Sequence, residues 1–173
     1  MKLILIGYMG SGKSSVGKKL ATVLKCPFID LDAYIESQEQ KTISQLFQQK
    51  GEIYFRKKER KYLEELLKGT APIVLATGGG TPCYGDAMKY LVTHKDTRTV
   101  YLQCDLDTLT NRLFHEKDQR PLISHLNDKE ALNDFIRKHL FERSFYYNQA
   151  ELKVPVKHLN IDEVVEHVVG KLI

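Results

Sequence analysis

"LILIGYMGSGKSSVGKKLA", residues 3–21, runs an apolar stretch into a turn built from Gly7, Gly10 and Gly12, then into a lysine, serines and a helical pattern. Lys2 to Ile6 reads as a buried strand ending at Gly7. Over Lys13 to Lys25 the apolar residues Val16, Leu20, Val23 and Leu24 recur at helical intervals. Between them, Gly7 to Ser14 fits GxxxxGK[ST]. Glycines let the backbone curl so that successive N–H groups aim at phosphate oxygens. The helix that follows presents its positive end to the same anion. In this pattern Lys13 reaches the β- and γ-phosphates, and the Ser14 hydroxyl ligates Mg2+. A glycine-rich turn without a ligand is the bland alternative, but a strand before and a helix after favour a nucleoside triphosphate. Gly10, Ser11, Gly12, Lys13, Ser14 and Ser15 are the candidate nucleotide contacts. The loop says nothing of the acceptor.

Further strands are expected over Pro27–Leu31, Pro72–Ala76, Arg98–Gln103 and Leu152–Val156. Residues 32–68 read as helix in pieces, with Thr42 as a cap and Gly51 as a break. Helices are also expected over Asp86–His94, Leu106–His115, Asp128–Tyr146 and Ile161–Leu172, and a polar loop with Pro121 over 116–126. Strands alternating with helices imply an α/β fold, a three-layer sandwich around a five-stranded parallel sheet. Ligands of such sheets bind beyond the carboxyl ends of the strands. That rule places Gly7, Asp30, Asp32 and Gly78 to Gly80 on one rim.

The 173 residues suit one domain, with no repeat, linker or low-complexity segment. Twenty-six basic and 22 acidic side chains leave a net charge of +4. This excess is too mild to argue for nucleic acid and suits an anionic small molecule. The basic run at 56–61 is interleaved with Glu59, Glu64 and Glu65, which reads as a solvated helix face. Cys26, Cys83 and Cys104 form no CxxC and read as reduced thiols in a cytoplasm. The six histidines show no metal-binding spacing. The apolar start is too short for a signal peptide or membrane span, so no membrane partner is expected. No long apolar surface stripe is left over, which suggests a monomer.

Other stretches point to the acceptor. "FIDLD" sets Asp30 and Asp32 two apart at a strand end, pointing to one face. Two carboxylates beside a phosphate site are costly unless a cation is near. One can hold Mg2+, a duty that falls to Asp30, since the third strand ends without the usual aspartate. The other can accept the proton of an attacking hydroxyl. Asp32 could instead cap a helix. Arg56 follows Tyr54 and Phe55, which suggests a partly buried edge. "TGGG", Thr77 to Gly80, carries more glycine than a tight turn needs, as where a small ligand approaches the backbone. Arg120, before Pro121, could swing over the phosphates as a lid closes and excludes water, or be an exposed surface arginine. Arg143 lies on the long helix, flanked by Phe141 and Phe145.

Taken in order, "IGYMGSGKSSVGKKLA", "FIDLD", "GEIYFRKKE", "TGGG", "RPL" and "ERSFYY" make the chain resemble the shikimate kinases, of the nucleoside monophosphate kinase-like branch of P-loop proteins. The resemblance runs nearly end to end. It implies a P-loop kinase fold with a mobile lid near 114–125 and substrate-binding helices near 32–62. It also implies transfer of the γ-phosphoryl of ATP, with Mg2+, to the 3-hydroxyl of shikimate. Residue by residue, it implies that Lys13 and the loop amides hold phosphate, and that Ser14 and Asp30 serve Mg2+. Asp32 would bind shikimate hydroxyls where a catalytic base belongs. Arg56 and Arg143 would grip the carboxylate, and the Gly78, Gly79 and Gly80 backbone would meet the ring. Arg120 would be the lid arginine, and Arg112 would lie against adenine. Another small-molecule kinase of the same fold, such as a gluconate kinase, is the alternative.

Overall fold

The computed structural model describes all 173 residues. Five parallel strands lie in the order β2-β3-β1-β4-β5. They are β1 (Lys2–Ile6), β2 (Phe28–Asp30), β3 (Ile73–Ala76), β4 (Thr97–Gln103) and β5 (Leu152–Pro155). Every residue of β1 and β3 is buried, as expected where helices cover both faces of a parallel sheet. Leu5 pairs with Ala76 on one side and Val100 on the other, so β1 and β3 end together under the same rim.

The helices are α1 (Lys13–Leu24), α2 (Leu31–Glu39), α3 (Ile43–Lys68), α4 (Ala87–Thr93), α5 (Leu106–Glu116), α6 (Lys129–Tyr147) and α7 (Ile161–Leu172). One cluster of 36 buried residues joins the sheet to these helices. No helix is long and apolar enough to cross a membrane. Thr42 caps α3 through a capping box with Gln45, as its type and spacing predict. Gly51 interrupts α3 at φ 83°, ψ 171°, and the chain continues as helix after the kink.

Two expectations needed correction. The strand over Pro27–Leu31 is shorter, because Asp30 accepts a hydrogen bond from the Ala33 N–H and starts α2 at once. Asp30 is therefore the cap, and Asp32 lies in the first helical turn, not on a strand face with Asp30. The polar stretch 116–126 is not an open loop throughout. The end of α5 passes into a 3-10 turn over Lys117–Gln119, and consecutive turns follow, held by Ile123 N–H to Arg120 O and Leu126 N–H to Ile123 O. Ile123 is fully buried, which pins the middle of the segment to the core.

Candidate active site

Gly10 and Gly12 take φ of 79° and 96° in the loop between β1 and α1. These left-handed conformations are open to glycine and strained for other residues. Lys13 is buried and folds back over the loop, its Nζ donating to Gly7 O at 2.7 Å and Tyr8 O at 2.9 Å. Burial pushes its ammonium down to about 8, while Asp32 and Asp30 work to keep it charged. Ser11 Oγ is buried without a partner, a free donor beside a turn of backbone amides. This loop can hold a polyphosphate.

The Ser14 hydroxyl donates to Asp30 Oδ2 at 2.8 Å. A hydroxyl and a carboxylate are hard oxygen donors of the kind Mg2+ takes alongside phosphate and water, so the residues present fit that ion. Asp32 sits deeper. Burial first, then the carboxylates of Asp30 and Glu59, push it up to about 6, with Lys13 pulling the other way. A carboxylate tuned to this range is suited to take a proton near neutrality. Lys13, Ser14, Asp30, Asp32, Gly78 and Arg120 all line one cleft of about 620 Å³.

"TGGG" brings the acceptor candidates together. A methyl group on Gly78 would lie 2.9 Å from Asp32 Oδ1. One on Gly79 would lie 3.0 Å from Arg143 Nη1, and one on Gly80 would lie 2.8 Å from Arg56 Nη2 and 3.3 Å from Arg143 Nη2. Each of the three glycines is thus a point where a charged side chain crosses the backbone. Asp32, Arg56 and Arg143, spread over three helices, meet on a single wall. Two guanidinium forks beside a carboxylate make a surface for a small acid that also carries hydroxyls.

Arg56 is mostly buried, as its apolar neighbours predicted. Its partner is Glu59, which accepts from Arg56 Nη1 at 2.8 Å and from the Thr81 hydroxyl at 2.8 Å. Glu59 is only 4% exposed, so the expectation of a solvated face fails there. It holds for Glu64 and Glu65, which pair with Arg60 and Lys61 in partly exposed i,i+4 bridges. The i,i+3 spacing of Arg56 and Glu59 was a usable signal; the reach to Thr81 was not. Arg143 reaches the wall from α6, and its chain neighbours do not hold it there. Phe141 and Phe145 are 82% and 71% exposed, because residues two apart lie on opposite sides of a helix. What supports Arg143 is Tyr8, whose ring centre lies 5.8 Å from its guanidinium and whose hydroxyl lies 2.9 Å from Nδ1 of His139, one turn earlier.

Arg112 donates to Gly10 O at 3.0 Å, across the loop from α5. Arg120 holds Glu116 through Nε at 3.1 Å and Nη2 at 2.7 Å, at the rim of the same cleft. Of the thiols only Cys104 is fully buried; Cys26 and Cys83 are half-buried, and no disulfide forms.

A glycine loop between β1 and α1 with a buried lysine folded over it, and a wall of one aspartate and two arginines at the same rim, is the arrangement of a P-loop kinase. The comparisons with known proteins narrow the class. The family model for shikimate kinase matches residues 9–173. A shikimate kinase of Flavobacterium johnsoniae is 46% identical over 171 residues, 99% of this chain and 98% of its own length. The solved shikimate kinase of Bacteroides thetaiotaomicron superimposes with a TM-score of 0.91 at 37% identity, covering 99% of this chain and 98% of that one. That of Acinetobacter baumannii, in complex with shikimate, gives a TM-score of 0.83 at 28% identity, covering 99% and 92%. The chain belongs to the shikimate kinase family, whose members are ATP-dependent kinases.

Proposed function

We propose that the protein transfers the γ-phosphoryl group of ATP to the 3-hydroxyl of shikimate, giving 3-phosphoshikimate and ADP. The observation that carries this reading is the convergence of Asp32, Arg56 and Arg143 on Gly78 to Gly80, facing the phosphate loop. A carboxylated ring with several hydroxyls satisfies both arginines and Asp32.

Lys13 and the amides of Gly10 to Ser15 would cradle the phosphates. Ser14 and Asp30 would hold Mg2+, which when bound offsets phosphate charge. Arg56 and Arg143 would bind the acceptor carboxylate, setting its 3-hydroxyl toward Asp32. As the hydroxyl oxygen bonds to the γ-phosphorus and the bridging P–O bond to the β-phosphate breaks, the hydroxyl proton passes to the Asp32 carboxylate. The transition state of such transfers is loose, so alignment and fixed positive charge matter more than covalent chemistry. Lys13 supplies that charge from the loop. Arg120 would add to it once the segment 114–125 closes, and would exclude water as a competing nucleophile. Arg112 would flank the base of the nucleotide.

We read residues 1–173 as a single kinase domain, in which α2 and α3 bind the acceptor, acting in the cytoplasm as a monomer on two small molecules. A coupled ADP-release assay with ATP, Mg2+ and a panel of shikimate, gluconate and nucleoside monophosphates tests the substrate. Turnover is expected with shikimate; equal or faster turnover with gluconate or a nucleotide overturns the assignment.

A further inference from the structure

Arg56 is gripped more completely than an ion pair requires. Glu59 takes Nη1 at 2.8 Å. Nε has no hydrogen bond, the Glu52 carboxylate standing 3.9 Å away. Nη2 is directed at Gly80. Cζ lies over aromatic rings: the Tyr84 ring centre is 3.8 Å away and that of Phe55 is 5.1 Å away. Tyr84 directly follows the 3-10 turn Thr81–Cys83, so it is carried by the same short segment as Gly80 and Thr81. It is 41% exposed, and with Arg56 it lines a groove of about 610 Å³ between α3 and residues 81–87.

One hydrogen-bonded contact to Glu59 fixes an end of the guanidinium but leaves its plane free to roll. A fork binds a carboxylate through two parallel N–H bonds only when that plane contains the carboxylate. A ring stacked at 3.8 Å removes the roll. The Arg56 side chain is only 18% exposed, and an arginine–aromatic contact strengthens where water is kept away.

We infer that Tyr84 is a positioning residue for the acceptor carboxylate: its ring, 3.8 Å from Cζ, sets the plane of the Arg56 guanidinium. The inference rests on the shikimate kinase reading of the same site. Because Tyr84 acts through Arg56 and lies outside the cleft of the phosphate loop, its loss falls on acceptor binding alone.

The test is a series of Tyr84→Ala, Tyr84→Phe, Arg56→Ala and the double variant Arg56→Ala/Tyr84→Ala. It is followed by KM and kcat for both substrates and by calorimetric Kd for shikimate. Tyr84→Ala is expected to raise KM and Kd for shikimate about five- to thirtyfold, with kcat and KM for ATP within about threefold of the parent. Tyr84→Phe, which keeps the ring, is expected to bind like the parent. The double variant is expected to bind no more weakly than Arg56→Ala alone, as for two residues acting in one contact. An unchanged KM in Tyr84→Ala, an equal loss for ATP and shikimate, a Tyr84→Phe variant as weak as Tyr84→Ala, or additive losses in the double variant would each overturn the inference. If the parent shows no turnover with shikimate, the substrate reading fails separately. The same series, run with whichever carboxylated acceptor is turned over, still decides Tyr84, and the absence of any such acceptor overturns both.

Discussion

The Ser14 hydroxyl and Asp30 Oδ2 lie 2.8 Å apart, joining the first turn of α1 to the end of β2. The other oxygen of the same carboxylate accepts the Ala33 N–H at 3.2 Å and caps α2. Asp30 therefore has two duties that one substitution can separate. Asp30→Asn keeps a capping oxygen and removes the charge. Thermal stability should change by under about 1 kcal/mol, since asparagine caps as well as aspartate. The Mg2+ concentration for half-maximal rate should rise at least about tenfold, given that magnesium is held through carboxylates and phosphates. A magnesium titration of the rate checks this; an unchanged midpoint would remove Asp30 from the metal site.

Asp32 and Lys13 set opposite limbs of a pH profile. Asp32, raised to about 6, must be ionised to take a proton, and Lys13, lowered to about 8, must be charged to meet phosphate. The value of kcat/KM for shikimate should rise through about pH 6 and fall above about pH 8. Asp32→Asn should lower kcat about 10²- to 10⁴-fold and abolish the acid limb. A variant with normal kcat would exclude Asp32 as the base.

The same shift bears on stability. The folded value of Asp32 stands above its unfolded value of 3.8, so the folded state binds more protons between about pH 4 and 6. Stability contributed by this group is present below that window and is lost as pH rises through it. Asp32→Asn escapes the loss and should melt about 2–6 °C higher than the parent at pH 8, with little difference at pH 4. Calorimetry at the two pH values decides it.

Gly80→Ala is a local probe of the acceptor wall. The backbone there has φ −87° and ψ −15°, ordinary for alanine, so no strain is expected. The new methyl would stand 2.8 Å from Arg56 Nη2, the flexible end of a side chain, which can move. The KM for shikimate should rise about tenfold or more, which is the worth of one charged hydrogen bond. The KM for ATP should not change. Equal effects on both substrates would contradict a wall that serves the acceptor alone.

Glu59 carries both a buried ion pair and the Thr81 hydroxyl. Glu59→Ala strands both partners and should cost about 2–4 kcal/mol, read as a fall of about 5–15 °C in Tm. Glu59→Gln, which can still accept from one partner, should lose less. Equal melting of the two variants would mean that the pair is not holding the wall together.

A lid predicts a pattern of hydrogen exchange rather than a uniform one. Arg120 and Glu116 form a partly exposed pair, which contributes little and releases easily. Exchange over residues 114–125 should slow when ATP and shikimate are both bound. The Ile123 amide, bonded to Arg120 O beside a buried side chain, should be protected beforehand. No slowing on ligand binding would argue against closure.

The fold was legible wherever one periodicity dominated. The run from Lys2 into Gly7, and the helical spacing after Lys13, define strand, loop and helix because their patterns are local. Thr42 and Gly51 were legible for the same reason: a capping box and a positive φ are properties of a few consecutive residues. Reading failed where two local rules competed. Asp32 reads as the candidate cap, and the Ala33 N–H bond shows that Asp30 takes that place instead. Phe141 and Phe145 flank Arg143 along the chain, yet helix geometry turns both outward.

The sequence by itself determined a P-loop and a parallel α/β sheet, since these follow from spacing along the chain, while the roles of Asp32, Arg56 and Arg143 were what the family resemblance implied. The tertiary structure alone decided what stands against what. Glu59 became a buried partner of Arg56 and Thr81, Tyr84 came to lie across the same guanidinium, and Tyr8 came under Arg143. Those pairings join side chains from α3, the segment after β3, α6 and the phosphate loop. They depend on how closely each helix packs on the rim, which is set by the whole core and not by any stretch of residues.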